Sequence, residues 1–334
     1  MQLKVIAGPA CAETLKQGIK RKIIEMSGDE LFDFTQWDDK KFPDGDFLPQ
    51  ILDSVRGSDF YVVQPTNSPE ENFKYMKLLA KGAAGSSVRR ITAVFPFMAG
   101  LRQDRKDKPR VPITAQMNVQ EIENAMRGVP ERHIMIMQPH FPQVQAVFSD
   151  ASSDLLYPRD IFIRALKQQL GDDISLVVPV APDIGAGAIA ESYAKHLQLD
   201  YVVGDKHRHP TTGKVTIRKI HGDVKGKIAA IFDDILDTGG TLIALIDKLV
   251  EMGVIGVYVF ITHGQFSGQC VEKLLAAQKS GALKHVYVTD SIRRSNGDLP
   301  SDLVTIVPCG ELIGEAIYRT HINDSISAID GMFN

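Results

Sequence analysis

Residues 227–253, KIAAIFDDILDTGGTLIALIDKLVEMG, constrain the fold more than any other stretch. The unbroken apolar run Ile228 to Phe232 reads as a strand buried on both faces of a parallel sheet. Asp233 and Asp234 follow at once. Then Asp237, Thr238, Gly239, Gly240 and Thr241 open an amphipathic helix whose apolar face is Leu242, Leu245, Ile246, Leu249 and Val250, with Gly253 as its stop. A strand that turns through glycines into a helix N-terminus aims backbone N–H groups and the positive end of a helix dipole at one point, which suits a phosphate. Two adjacent carboxylates would repel that anion, so they need a vicinal diol or a divalent cation instead. A diol beside a phosphate describes a sugar phosphate. The competing reading is an acidic strand end in which Asp237 or Thr238 only caps the helix.

The same alternation of strand and helix recurs along the chain. Strands are expected at Leu3 to Ala7, Phe60 to Gln64, Ile91 to Phe97 and Ile134 to Gln138, with helices from Ala10 to about Met26, Glu70 to Ala84 and Thr114 to Met126. A second series runs from a helix at Ile161 to Leu170, through strands at Ile174 to Val180 and Tyr201 to Gly204, to a strand at His285 to Val288. This is the pattern of an α/β protein. The 334 residues favour two domains of about 150 residues each. A Tyr-Pro-Arg turn sets them at 1–157 and 158–310, and the final helix, within 311–334, is expected to pack back on the first domain.

Hydrophobic content of 44%, 24% charged residues and a net charge of -3 carry no basic excess to attract nucleic acid. No apolar run approaches the length of a membrane span, and the N-terminus begins a strand rather than a signal segment. Three cysteines, Cys11, Cys270 and Cys309, are odd in number and lack paired metal spacing, so they read as buried thiols in a reducing compartment, the cytoplasm.

Five further stretches carry chemistry. Phe42, Asp44 and Asp46 flank a Pro-Asp-Gly turn and could stack on a base and accept from its amino group, or form a turn capped by a packed Phe. Arg102, Arg105, Lys106, Lys108 and Arg110, with Asp104 and Asp107 among them, follow a strand and could hold a polyphosphate, or form a solvated loop. His140 follows another strand, as a metal ligand or a structural histidine, and Asp183 opens the glycine-containing PDIGAG, an anion or magnesium-phosphate cradle. Lys206 and Arg208 end a strand and open a polar hairpin to His221, as cations poised over a site or as a surface hairpin.

In this order, FPDGD at Phe42, RQDRKDKPRVPIT at Arg102, HFPQVQAVF at His140, PDIGAG at Pro182, DKHR at Asp205, GDVKGK at Gly222 and FDDILDTGGT at Phe232 resemble the ribose-phosphate pyrophosphokinases, the phosphoribosyl pyrophosphate (PRPP) synthetases, over nearly the whole chain. The last motif alone is shared with phosphoribosyltransferases, which lack an ATP-binding half. The resemblance implies two tandem phosphoribosyltransferase-like domains, each a parallel sheet flanked by helices, in a homo-oligomer built on dimers, up to a hexamer. It implies transfer of the β,γ-diphosphate of Mg2+-ATP to the anomeric hydroxyl of ribose 5-phosphate, giving PRPP and AMP. On it, Phe42, Asp44, Asp46, Arg102, Gln103 and Asp104 bind ATP, and His140 and Asp183 ligate magnesium. Lys206 and Arg208 are catalytic, Asp233 and Asp234 hold the ribose hydroxyls, and Asp237, Thr238, Gly239, Gly240 and Thr241 cradle the 5-phosphate.

The chain departs from the family pattern at Gln138, where an aspartate is usual, at Asp46 for glutamate, at Ala186 for glycine and at His207 for arginine. Ala186 places a side chain where it could crowd the approach of phosphate. A larger ribose 5-phosphoryl acceptor such as ADP-ribose, and a non-catalytic regulatory homologue, are the alternatives.

Overall fold

A computed structural model describes residues 1–208, 215–294 and 297–330. The chain forms two compact units, Met1–Tyr157 with Ser291–Arg293 and Pro308–Asn334, and Pro158–Asp290 with Arg294–Val307.

The first unit runs β1 (Leu3–Ala7), α1 (Glu13–Ser27), β2 (Trp37–Lys41), β3 (Phe47–Ile51), β4 (Asp59–Val63), α2 (Glu71–Gly85), β5 (Arg90–Phe95), α3 (Thr114–Ala125), β6 (Glu131–Met137) and β7 (Ser152–Leu156). Its sheet has the order β1-β4-β5-β6-β7, every pair parallel. Every residue of β4 and β5 is buried, as a central parallel strand requires. On one face Phe60, Val62, Ile91, Ala93, Phe95 and Ile136 pack with Phe73, Met76 and Leu79 of α2 and Val119 and Ile122 of α3. Strands β2 and β3 form a separate antiparallel hairpin.

The second unit runs α4 (Arg159–Leu170), β8 (Val177–Ala181), α5 (Gly187–Leu197), β9 (Val202–Arg208), β10 (Val215–His221), β11 (Ile228–Leu236), α6 (Gly240–Glu251), β12 (Gly256–Gly264), α7 (Cys270–Lys279), β13 (Leu283–Thr289) and β14 (Val304–Val307). Its sheet has the order β10-β9-β8-β11-β12-β13-β14. Strand β10 is antiparallel to β9, so this sheet is mixed where a parallel one is expected. In-register aromatics pave one face: Phe232 of β11 pairs with Phe260 of β12, which pairs with Tyr287 of β13. Phe232 stacks on Tyr193 of α5 at 3.6 Å between ring centroids, and α4 adds Phe162 and Leu166 to that face. The opposite face packs Val180, Ile231, Val259 and Ile261 against Leu242, Leu245, Ile246 and Leu249 of α6. Val250, expected in that stripe, is 45% exposed because eight residues from Leu242 bring it to the flank.

Strand β11 is longer than its apolar run. It stays paired with β12 through Asp233, Ile235 and Leu236, because β12 offers a continuous backbone ladder beyond Phe232. The sequence reading places no strand at β7 or β14; both are sheet edges, and their polar or short segments lack the apolar signal of a buried strand. Residues 174–176, the first part of the strand expected from Ile174, belong instead to a 3-10 turn, Gly171–Leu176.

The last long helix, α8 (Gly310–His321), belongs to the first unit and packs on α1. The two helices touch at glycines: a Cβ on Gly310 would lie 2.3 Å from the carbonyl oxygen of Leu15. At the end of α8, His321 Nδ1 lies 2.7 Å from Oδ2 of Asp59, the fully buried first residue of β4. Arg90 Nε donates to Asp59 Oδ1 at 2.7 Å, Tyr61 donates its hydroxyl to Oδ2 at 3.0 Å, and Arg90 Nη2 also donates to the Thr320 carbonyl at 2.8 Å. Burial raises the Asp59 carboxyl, but the hydrogen bonds from Arg90 and His321 outweigh it and hold the group below its ordinary 3.8. A depressed carboxyl stabilises the fold above its unfolded-state value and loses that contribution as pH falls through its folded value. Asp59→Asn is therefore expected to cost about 3–5 kcal/mol at neutral pH, by leaving Arg90 buried without its charge partner. Urea unfolding from neutral pH down to about pH 3 checks this: the loss should shrink on the acid side.

Candidate functional site

In the second unit, β8 and β11 are parallel neighbours; from β8 the chain moves through α5 to β9 on one side, and from β11 through α6 to β12 on the other. Open α/β sheets bind ligands at the C-terminal ends of strands at such a switch point. Asp183 stands just past β8, and Asp233 and Asp234 stand near the end of β11. Asp183 Oδ1 accepts from the Ala186 N–H at 3.2 Å, and its Oδ2 accepts from Nζ of Lys206, on β9, at 3.1 Å. The Ala186 methyl does not crowd this loop: it is buried with Ala181 and Ala190.

Asp234 is 7% exposed, and its N–H donates to Asp233 Oδ1 at 2.9 Å. Asp233 as a residue keeps some exposure, but its carboxyl group is desolvated. Burial first, then the charges of Asp234 and Asp183, push that carboxyl well above its ordinary range. A desolvated carboxyl next to a second carboxylate calls for a cation or for hydroxyl donors.

The loop from Asp237 to Thr241 connects β11 to α6, and Gly239 takes φ +74°, the left-handed region that favours glycine. A Cβ there would also lie 3.1 Å from Sγ of the buried Cys270. The Ser267 N–H donates to the Asp237 carbonyl at 3.0 Å, and Lys273 Nζ donates to the Thr238 carbonyl at 2.8 Å. The carbonyls of Asp237 and Thr238 are thus held from behind, by α7 and the segment before it, where the loop enters the N-terminal turn of α6.

In the first unit, Phe42 to Asp46 form the turn of the β2–β3 hairpin, with Gly45 at φ +90°. Phe42 is 37% exposed, with Lys40 Nζ over its ring at 4.9 Å, and so does not cap the turn by packing. Asp44 Oδ1 accepts from the Asp46 N–H at 3.1 Å; Asp46 accepts from Lys74 of α2 at 2.6 Å, which with the Phe47 N–H lowers its carboxyl below the ordinary value. Arg102, Gln103 and Asp104 follow β5, and His140 is exposed just beyond β6. Gln103 is committed locally: its side-chain oxygen accepts from the Thr114 hydroxyl and its carbonyl from the Ala115 N–H, which tie it to the start of α3. Gln138 is buried, with φ +42° and its N–H donating to the Leu156 carbonyl at 2.7 Å.

Thus Asp183, Lys206, Asp233, Asp234 and the Asp237 to Thr241 loop gather in the second unit, while the nucleotide candidates and His140 belong to the first. The backbone of Arg208 closes β9; its side chain and residues 209–214 of the hairpin lie outside the described residues. Sequence reasoning missed what Lys74 does for the hairpin turn of the first unit, and what Cys270 and Lys273 do for the loop before α6 in the second. Nothing in their local pattern marks them, because each acts on a loop far away in the chain.

The chain matches two family models, the N-terminal domain of ribose phosphate pyrophosphokinase over residues 3–126 and the phosphoribosyl synthetase-associated domain over residues 207–330. It is 34% identical to the ribose-phosphate pyrophosphokinase of Chlorobaculum tepidum, over 97% of this chain and 94% of that protein. The chain belongs to the ribose-phosphate pyrophosphokinase family. The corresponding protein of Bradyrhizobium diazoefficiens is 31% identical over 98% of this chain and 97% of its own length. A crystal structure of phosphoribosylpyrophosphate synthetase from Mycobacterium smegmatis matches with a TM-score of 0.81 at 25% identity, covering 97% of this chain and 100% of that one.

The raised Asp233 carboxyl yields a pH prediction. The folded chain keeps a proton that the unfolded chain releases, so apparent stability falls as pH rises from the ordinary 3.8 through the folded value. Asp233→Asn should raise the urea midpoint at neutral pH and flatten that part of the pH profile.

Proposed function

We propose that this protein transfers the β,γ-diphosphate of ATP to the anomeric hydroxyl of ribose 5-phosphate, giving PRPP and AMP. The observation that carries this reading is the pairing, at the switch point of the second sheet, of the acidic pair Asp233–Asp234 with the N–H-rich loop Asp237 to Thr241. Asp233 and Asp234 accept hydrogen bonds from the ribose hydroxyls, which relieves their mutual repulsion, while Thr238 to Thr241 take the 5-phosphate. The exposed Phe42 ring offers a stacking face for adenine, Asp44 and Asp46 accept from its amino group, and Arg102, Gln103 and Asp104 hold the nucleotide.

The reaction is an in-line displacement: the sugar O1 loses its proton to solvent and forms a bond to the β-phosphorus, the bond from that phosphorus to the α,β-bridging oxygen breaks, and AMP leaves with that oxygen. No protein nucleophile is needed. Lys206 and Arg208 meet the charge that builds on the transferring oxygens. Lys206 must first leave Asp183, to which it is paired at 3.1 Å.

Asp183 fits magnesium by its chemistry, a carboxylate at a strand end that already holds a cation, and His140 is exposed at the other proposed ligand position. Among the described residues no three His, Cys, Asp or Glu side chains gather as a metal cage; magnesium uses one or two carboxylates and completes its shell with phosphate oxygens and water. When bound, it neutralises charge on the diphosphate. The first unit thus serves as the ATP-binding domain, in a homo-oligomer built on dimers. No described helix is long and apolar enough to cross a membrane, and three buried cysteines, none of them in a disulfide, suit the cytoplasm.

AMP release from Mg2+-ATP, with ribose 5-phosphate and in parallel with ADP-ribose, tests the proposal. Turnover is expected with ribose 5-phosphate, and Lys206→Ala should lower kcat by about 10²–10³-fold. Turnover with ADP-ribose alone would reassign the acceptor, and no turnover with either would refute catalysis.

A further inference from the structure

The sugar-phosphate loop leans on a short segment at the end of β12, and that segment is clamped by an arginine to which the family motifs assign nothing. Gln265 and Phe266 both donate their N–H groups to the Leu236 carbonyl, at 2.7 and 3.1 Å, and Ser267 donates to the Asp237 carbonyl. Three consecutive N–H groups therefore hold the two peptides that lead into the loop. On its other side Nη2 of Arg294 donates to the Gly264 carbonyl and, at 2.5 Å, to that of Gln265, and its guanidinium lies 5.5 Å from the centroid of the Phe266 ring.

The corner is built for this contact. Phe266 takes φ +49°, an unusual conformation for an aromatic residue, which calls for an external hold. A Cβ on Gly264 would lie 2.3 Å from the Phe266 ring, so only glycine lets that ring fold back there. Arg294 is half-buried, and burial pushes its guanidinium below its ordinary value, a cost that its carbonyl and ring contacts offset. Its charge also reaches the Cys270 thiol, as does that of Asp237, and Cys270 backs Gly239.

We propose that Arg294 is a positioning residue for the sugar phosphate: by fixing segment 264–267 it sets the orientation of the Asp237 to Thr241 loop and adds a desolvated positive charge behind it. This inference rests on the sugar-phosphate reading of the loop and extends it to a residue outside the motif. It implies a specific split. Loss of Arg294 loosens the 5-phosphate site and leaves the nucleotide contacts and the reacting groups in place.

The test is calorimetric binding of ribose 5-phosphate by the full chain, with steady-state kinetics, for wild type, Arg294→Met, Arg294→Lys and Phe266→Leu. Arg294→Met should weaken ribose 5-phosphate binding and raise its KM by about tenfold or more, with kcat and the KM for ATP within about threefold of wild type. Arg294→Lys should recover part of the loss, since an ammonium can satisfy a carbonyl but not stack flat on the ring. Phe266→Leu should show the same split with the charge retained, and these two variants decide the matter if Arg294→Met does not fold. An unchanged ribose 5-phosphate affinity, or KM values for both substrates rising together as thermal stability falls, would overturn the proposal. Absence of binding by wild type would overturn the sugar-phosphate reading itself, and this inference with it.

Discussion

Two carboxylates sit near the end of a strand that has nowhere to move. Strand β11 is flanked by β8 and β12, and its first five residues are all buried, so Asp233 and Asp234 emerge where a packed sheet fixes the backbone. The continued ladder to β12 holds them in the sheet rather than in a loop where they could swing into water. Their repulsion, sharpened by burial and by Asp183, is a standing cost of the free protein. A ligand that offers hydroxyl donors or a cation at that point removes the cost, so the strain becomes selectivity for what binds.

Around that point the unit separates charge types. The negative groups lie at the strand ends, and the groups suited to an anion lie one turn further, on the loop into α6. Much of the loop's support comes from behind, through main-chain carbonyls taken by Lys273 and Ser267 and through Cys270 against Gly239. Carbonyls committed in this way hold the loop's backbone in one orientation. Lys206, held by Asp183, keeps a cation within the same strand-end cluster before any substrate arrives.

The first unit shows a different economy. Its hairpin turn keeps Phe42 out of the core and fixes Asp46 through Lys74, whereas Gln103 is drawn into the start of α3. Neighbouring motif residues thus have different freedoms: one presents a surface and another holds a turn. The departure at Ala186 has a similar local answer, because its methyl joins the core instead of the loop.

The alternation of apolar runs with amphipathic stretches was enough to read an α/β protein, and the spacing of Phe232, Asp233, Asp237 and Gly239 placed a strand, an acidic pair and a glycine turn into a helix in order. Those features are legible because they are local: period, turn chemistry and helix start depend on residues a few positions apart. Tertiary structure decided the rest. Edge strands such as Val304–Val307 exist only because β13 offers a free ladder, and β11 runs past its apolar stretch only because β12 continues beside it. The braces, Lys273 and Arg294, carry no signal in their own neighbourhoods, since a hydrogen bond to a distant carbonyl constrains geometry and not composition. Sequence alone determined which chemical groups are available and in what order, and packing determined which of them are held, and by what.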